Sequence, residues 1–220
     1  MRIEWYGQSA FRLTGATQTV VIDPFGDLTA ATAGRLRFEY PPVDAAPADL
    51  VLVTHEHADH NAVEAIGGTP VVLRSTAGRL ESPIGEIVAI ASEHDTAAGT
   101  ERGPNTIFVL ELDGLRIAHF GDFGQSALRP EQAAAIGSVD VLLIPVGGGP
   151  TIGDEAAAAI TAQLAPRWVL PMHYRTNRID FLEPADAFIA RMPQAARLPA
   201  GPFALPDAAE SSVVVVPDAP

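Results

Sequence analysis

Three histidines and an aspartate fall within six residues, His55-Glu56-His57-Ala58-Asp59-His60. Kept neutral, so dense a group leaves several polar atoms in need of partners; protonated, its members repel one another. A divalent cation resolves both problems, because imidazole nitrogen and carboxylate oxygen are its natural ligands. A solvated polar loop is the ordinary explanation for any single histidine here. It does not account for His-x-His-x-Asp-His placed directly after the apolar run Leu50-Val51-Leu52-Val53. The other histidines are His94, His119 and His173, and Asp122 closes the stretch His119-Phe120-Gly121-Asp122. His94, Asp122 and His173 each follow an apolar run, and together they repeat one geometry in which a strand delivers a donor at its carboxyl end.

The elements that must position these donors are legible from short patterns. Ile3–Tyr6, Ala10–Leu13 and Thr19–Ile22 are β-branched or aromatic runs separated by Gly7 and Gly15, and the third ends at Asp23-Pro24. From there to Asp49 an Ala-, Pro- and Asp-rich stretch reads as a loop with room for one short helix. Leu50–Val53 is a fully buried strand by its continuous apolar character. Pro70–Leu73 and Glu86–Ala91 read as strands, and Asn105–Leu112 with Leu115–Phe120 form a hairpin about Asp113-Gly114. Pro130–Ile136 reads as a helix with Pro in its first turn. Val139–Val146 is a buried strand before Gly147-Gly148-Gly149, Asp154–Leu164 a helix capped by Asp154, and Arg167–Met172 a strand ending at His173. Pro184–Arg191 and Val213–Val216 complete the set as a short helix and a strand. Strands first and strand–helix units later predict sheets packed face to face with helices outside, in one domain over residues 1–220.

Composition narrows the function. Fourteen basic side chains against 27 acidic ones give a net charge of -13, which disfavours general nucleic-acid binding, since that rests on basic patches. A metal site reverses the field locally, so a small anionic substrate stays compatible. The absence of cysteine removes disulfides, thiolate ligands and a cysteine nucleophile. No apolar stretch is long enough to cross a bilayer, and the first residues lack a signal-peptide pattern; a cytoplasmic protein is the expectation.

On His55-Glu56-His57-Ala58-Asp59-His60, with Asp23, His94, Asp122 and His173, the chain resembles the metallo-β-lactamase superfamily from Ile3 to Tyr174 and beyond. Within it, Glu101–Thr106, Pro145–Gly149 and Pro171–Tyr174 are similar to small metal-dependent hydrolases near the ascorbate-6-phosphate lactonase branch. The resemblance implies an α/β, four-layer αββα sandwich. It implies two divalent metal ions: one on His55, His57 and His94, the other on Asp59, His60 and His173, with Asp122 bridging and Asp23 bracing the histidine loop. Zinc is the first expectation, with manganese, iron and nickel also accepting these donors. The missing Cys ligand argues against the antibiotic-hydrolysing branch, and the chain has no room for the substrate arm of the nucleases.

A dinuclear site of this kind makes hydroxide available near neutral pH and polarises the attacked oxygen. The expected activity is hydrolysis of an ester, lactone or phosphodiester of a small molecule, lactone or ester first, with Asp59 and Asp122 as the catalytic carboxylates. Asp59 would accept a proton, though a metal-bound carboxylate is a weak base. Two alternatives share the fold: a nuclease or phosphodiesterase, and an iron-dependent redox enzyme. The electron-transferring diiron relatives carry glutamate at the position of His57, which is against the latter. A non-catalytic metal-binding protein would lack a ligand, and none is missing. His119 is expected to be a buried, hydrogen-bonded histidine. Arg102, Asn105 and Tyr174 are candidate substrate contacts for which an ordinary structural role is the commoner explanation, as is a plain turn for Gly147–Gly149. A homo-oligomer is compatible with everything above.

Overall fold

The computed structural model describes residues 1–28, 36–43 and 46–220. Among the described residues, thirteen strands form two sheets. The first holds β1 (Arg2–Gly7), β2 (Ala10–Thr14), β3 (Thr19–Ile22), β4 (Leu50–Val53) and β5 (Val71–Arg74), side by side in that order. The second contains β6 (Gly78–Ser82), β7 (Gly85–Glu93), β8 (Pro104–Leu112), β9 (Leu115–His119), β10 (Val141–Pro145), β11 (Trp168–Met172), β12 (Gln194–Leu198) and β13 (Val213–Pro217). Its order is β12-β13-β11-β10-β9-β8-β7-β6. Each sheet changes from antiparallel hairpins to parallel pairing, at β3 in the first and β9 in the second.

The continuous apolar runs are explained by burial on both faces. Val20, Ile22, Leu50 and Leu52 belong to the core shared with Phe108, Leu110, Leu142, Ile144 and Leu170 of the second sheet. The alternate residues Val21, Val51 and Val53 face outward and are covered by Phe25, Tyr40, Ile66, Ile179 and Leu182. With both faces covered, no polar alternation can appear in β3 and β4. Each such side chain contributes about 1.5–3 kcal/mol by leaving water.

Helices α1 (Pro130–Ile136), α2 (Asp154–Leu164) and α3 (Asp186–Ala190) lie against the second sheet, α1 on β7, α2 on β10 and α3 on α2. Pro130 takes the first helical position as expected, where its missing N–H costs nothing. Asp154 does not cap α2. Gly153 is the cap residue, and Asp154 instead binds Arg191 at 2.6 Å. The short helix allowed between Asp23-Pro24 and Asp49 is not seen in residues 24–28, 36–43 or 46–48; residues 29–35 and 44–45 lie outside the described residues. No helix among the described residues is long and apolar enough to cross a membrane.

Register carries donors to one edge. The in-register pairing of β3 with β4 (Ile22 opposite Leu52) sets Asp23 beside Thr54. Pro145 opposite Met172 sets Gly147 beside His173, and Glu93 opposite Pro104 sets His94 beside Gly103.

Candidate metal centre

The histidine loop is built on Asp23. One carboxylate oxygen of Asp23 accepts the Thr54 N–H at 2.8 Å, and the other accepts the Thr54 hydroxyl at 2.7 Å and His60 Nδ1–H at 3.0 Å. Because Thr54 gives its only hydroxyl proton to Asp23, its Oγ1 must accept from His55 Nδ1, 3.1 Å away. His94 Nδ1–H donates to the Pro150 carbonyl at 3.0 Å. These bonds fix three tautomers. In each ring it is Nε2 that remains for the centre of the cluster.

Asp122 occupies that centre. Ser9 donates its hydroxyl to Asp122 Oδ1 at 3.0 Å, and the Asp122 N–H donates to Asn105 Oδ1 at 3.0 Å, so the carboxylate is held in one orientation. Its other oxygen, Oδ2, stands 3.1 Å from His94 Nε2, 3.2 Å from His173 Nε2 and 3.3 Å from His60 Nε2. His55 Nε2 lies 3.0 Å from His57 Nδ1, and Asp59 Oδ2 lies 3.5 Å from His60 Nε2. Donor atoms of His55, His57 and His94 come within 4.8 Å of one another, and so do those of Asp59, His60 and His173. Thus all seven residues singled out in the sequence meet at one place.

The donor set fits divalent cations. Nitrogen lone pairs of His55 and His60 converge with a carboxylate in a buried space, and His60 Nε2 makes no hydrogen bond although Asp122 is next to it. Burial, followed by the neighbouring His60 charge, lowers the His55 pKa to about 2, so this ring stays neutral and free to ligate. Burial also lowers His57, with His94 adding to the effect. Burial resists a charge on His60, yet Asp122, Asp59 and Asp23 together outweigh it and hold its pKa well above the ordinary value. Burial likewise resists the charge on Asp122 and Asp59; the facing histidines overcome it and keep both carboxyls below their usual range. In the absence of a cation, then, a proton on His60 offsets the charge of the three carboxylates around it. A divalent ion does this better, and it also satisfies the nitrogens that share no proton.

The beta-lactamase superfamily domain model matches residues 2–173 of this chain. The chain belongs to the beta-lactamase superfamily. It is 31% identical over 202 residues to a UPF0173 metal-dependent hydrolase of Thermococcus kodakarensis, covering 80% of this chain and 85% of that one. A UPF0173 metal-dependent hydrolase of Methylobacterium nodulans is 32% identical over 225 residues, with 87% and 92% covered. Among solved structures, a protein of Thermotoga maritima, whose name proposes a Zn-dependent hydrolase of the metallo-beta-lactamase superfamily, superposes with a TM-score of 0.80. It is 30% identical and covers 100% of this chain and 99% of its own. The two packed sheets with outer helices are therefore the metallo-β-lactamase fold.

Several residues that brace the centre of this superfamily member were invisible to sequence reasoning. Ser9, Thr54 and Pro150 carry no signal of their own, and the Ser9–Asp122 contact spans 113 positions. Asn105 is no substrate contact: its amide donates to Ser92 Oγ and to the Phe120 carbonyl while its oxygen holds Asp122. Tyr174 is buried and stacks on Trp5 at 5.3 Å, away from the cleft. His119 is fully buried, donates through Nε2 to the Ser9 carbonyl at 2.8 Å and accepts the Gly121 N–H at 3.1 Å, as its strand position implied. Arg102 does line the cleft. Gly147 is set by a backbone neighbour, since a Cβ there would lie 2.2 Å from the His173 carbonyl oxygen. His173 itself sits at φ 50°, in the left-handed region. That strain of about 1–3 kcal/mol is opposed by hydrogen bonds from the Gly147 N–H to its carbonyl and from its own N–H to Gln8.

Proposed function

We propose that this metal-dependent hydrolase holds two divalent cations, zinc first, and cleaves an ester or lactone bond of a small molecule. His55, His57 and His94 would hold one cation, and Asp59, His60 and His173 the other. The single observation that carries this reading is the position of Asp122 Oδ2, within 3.3 Å of nitrogens from both triads. Cations held there would supply activation of water near neutral pH and polarisation of the attacked bond.

The chain's own residues prepare that chemistry. Asp23 and the Pro150 carbonyl keep the Nδ1 protons of His60 and His94 away from the centre, so in these two rings Nε2 would be the ligating atom. Ser9 and Asn105 hold Asp122 in the one orientation that serves both triads. Asp59 and Asp122 stay ionised and supply the negative charge that two cations require; the low pKa of Asp59 leaves it a weak proton acceptor. The cleft above these groups, about 260 Å³, has the size of a small ligand, and the net charge of -13 weighs against a polynucleotide.

The test is a panel of chromogenic esters, lactones and phosphodiesters, assayed with apoprotein reloaded with zinc, manganese, iron or nickel. Metal-restored turnover of esters or lactones is the expected result. Turnover of phosphodiesters alone would instead identify a phosphodiesterase, and an iron-specific visible spectrum with no hydrolysis would identify a redox enzyme.

A further inference from the structure

The floor of the cleft is formed by His57, Asp59, His94, Asp122 and His173, while Leu28, Leu36, Phe38 and Phe181 line its wall. Leu36 is 46% exposed, one of two large hydrophobic residues so exposed among the described residues. One cation, Arg102, stands among the lining residues. All basic side chains of the chain are arginines. Among the described residues, every other arginine holds a carboxylate or a carbonyl: Arg74 on Glu56, Arg129 on Glu93 and Arg191 on Asp154 are examples. The Arg102 guanidinium has no such partner among the described residues.

Its backbone is nevertheless fixed. Asp95 accepts the N–H groups of Ala97 and Gly99 on one oxygen, both at 2.8 Å, and those of Glu101 and Arg102 on the other, at 3.1 and 2.8 Å. The turn is closed by His94 N–H to the Gly103 carbonyl at 3.1 Å. A free guanidinium is thereby anchored to the same turn that delivers His94.

We propose that Arg102 and the apolar wall form a subsite for the non-reacting end of the substrate, an acyl chain that ends in a carboxylate or phosphate-type oxyanion. This rests on the hydrolase reading above. Against a net charge of -13 an anion is repelled at long range, so an anionic substrate needs local positive points. The floor, once it holds its cations, would be one and Arg102 the other, and Leu36, Phe38 and Phe181 line the same cleft. Arginine presents a planar fork of N–H donors that matches either oxyanion bidentately. The reaction keeps its ordinary balance: the oxygen of water bonds to the acyl carbon, the acyl–oxygen bond breaks, and the departing alkoxide takes the proton that water gives up.

The test compares zinc-reloaded wild type, R102Q and R102K on three 4-nitrophenyl esters of equal chain length, ending in a carboxylate, a phosphonate or a neutral methyl ester. Calorimetry with glutarate and with methylphosphonate gives a readout independent of turnover, and elemental analysis normalises all three proteins to bound metal. In R102Q the preference for anionic over neutral ester should fall about tenfold or more, chiefly through KM, with a matching loss of oxyanion affinity. R102K should recover part of both. Whichever oxyanion shows the larger Arg102-dependent affinity identifies the terminal group. Hydrolysis with no anionic preference, unchanged in R102Q, together with glutarate and methylphosphonate binding that ignores the substitution, would overturn the subsite and leave the hydrolase standing. Arg102-dependent oxyanion binding in a protein that cleaves none of the esters would overturn the ester reading and leave the subsite.

Discussion

Two buried side chains outside the donor groups show how the donors are set. Ser9 spends its hydroxyl proton on Asp122 Oδ1, and partners of this kind ordinarily contribute about 10–100-fold to metal affinity or activity. Ser9→Ala should therefore lower zinc affinity within that range while its far-UV spectrum stays native; unchanged affinity by competition with a chelating dye would remove Ser9 from the account. His119 is kept neutral, chiefly by burial, which lowers its pKa below the ordinary value. The unfolded chain takes up that proton more readily than the folded chain, so the contribution of His119 is complete above pH 6.5 and diminishes as pH falls. His119→Gln should be less stable than wild type at pH 7.5 in urea titrations. The gap should narrow as pH falls below 6.5, whereas a gap constant from pH 7.5 to 5 would mean that His119 protonates as readily in the fold as in the unfolded chain.

Among the elements, the loops after β4, β7 and β9 are as demanding as the strands. Gly121 has φ 54°, and a Cβ there would lie 2.4 Å from Asn105 Oδ1 and 2.7 Å from Thr54 Oγ1, the groups that hold Asp122 and His55. Gly121→Ala should cost about 2–3 kcal/mol and weaken metal binding. Gly114→Ala, at φ 74° in open space on the β8–β9 hairpin, should cost only about 1 kcal/mol and leave metal affinity as it was. Equal effects in chemical denaturation and metal titration would show that crowding at Gly121 is unimportant. The buried strands were readable because their apolar runs are unbroken, as in Leu50–Val53 and Val141–Pro145. β6 and β12 were not, because Gly-Arg-Leu-Glu-Ser and Gln-Ala-Ala-Arg-Leu lie at sheet edges where one face meets water and no apolar run is required. Asp154 looked like a cap because its residue type suits one; the choice between capping and pairing with Arg191 is made by α3, which sequence order does not reveal.

At the scale of the whole molecule, two sheets contribute to one centre: Asp23 and the 55–60 loop come from the first, His94, Asp122 and His173 from the second. The donor types and the dense motif could be read from the chain because they are local. Their meeting point could not be read from spacing alone, since it depends on the packing of β3 and β4 against β8 to β11; the superfamily resemblance supplied it. Cations at that junction would tie the sheets together, and a ligand present at a hundredfold excess over its Kd adds about 2.7 kcal/mol to stability. Removing metal with a chelator should then lower Tm by about 5–10 °C, reversibly on reloading. A zinc-independent Tm would place the binding energy elsewhere. The most direct measurement is anomalous diffraction at the zinc edge on crystals of reloaded protein. Two peaks are predicted on either side of Asp122 Oδ2, one among His55, His57 and His94 and one among Asp59, His60 and His173. Zinc found away from this cluster, or a lone peak that leaves His94 or His173 uncoordinated, would contradict the account.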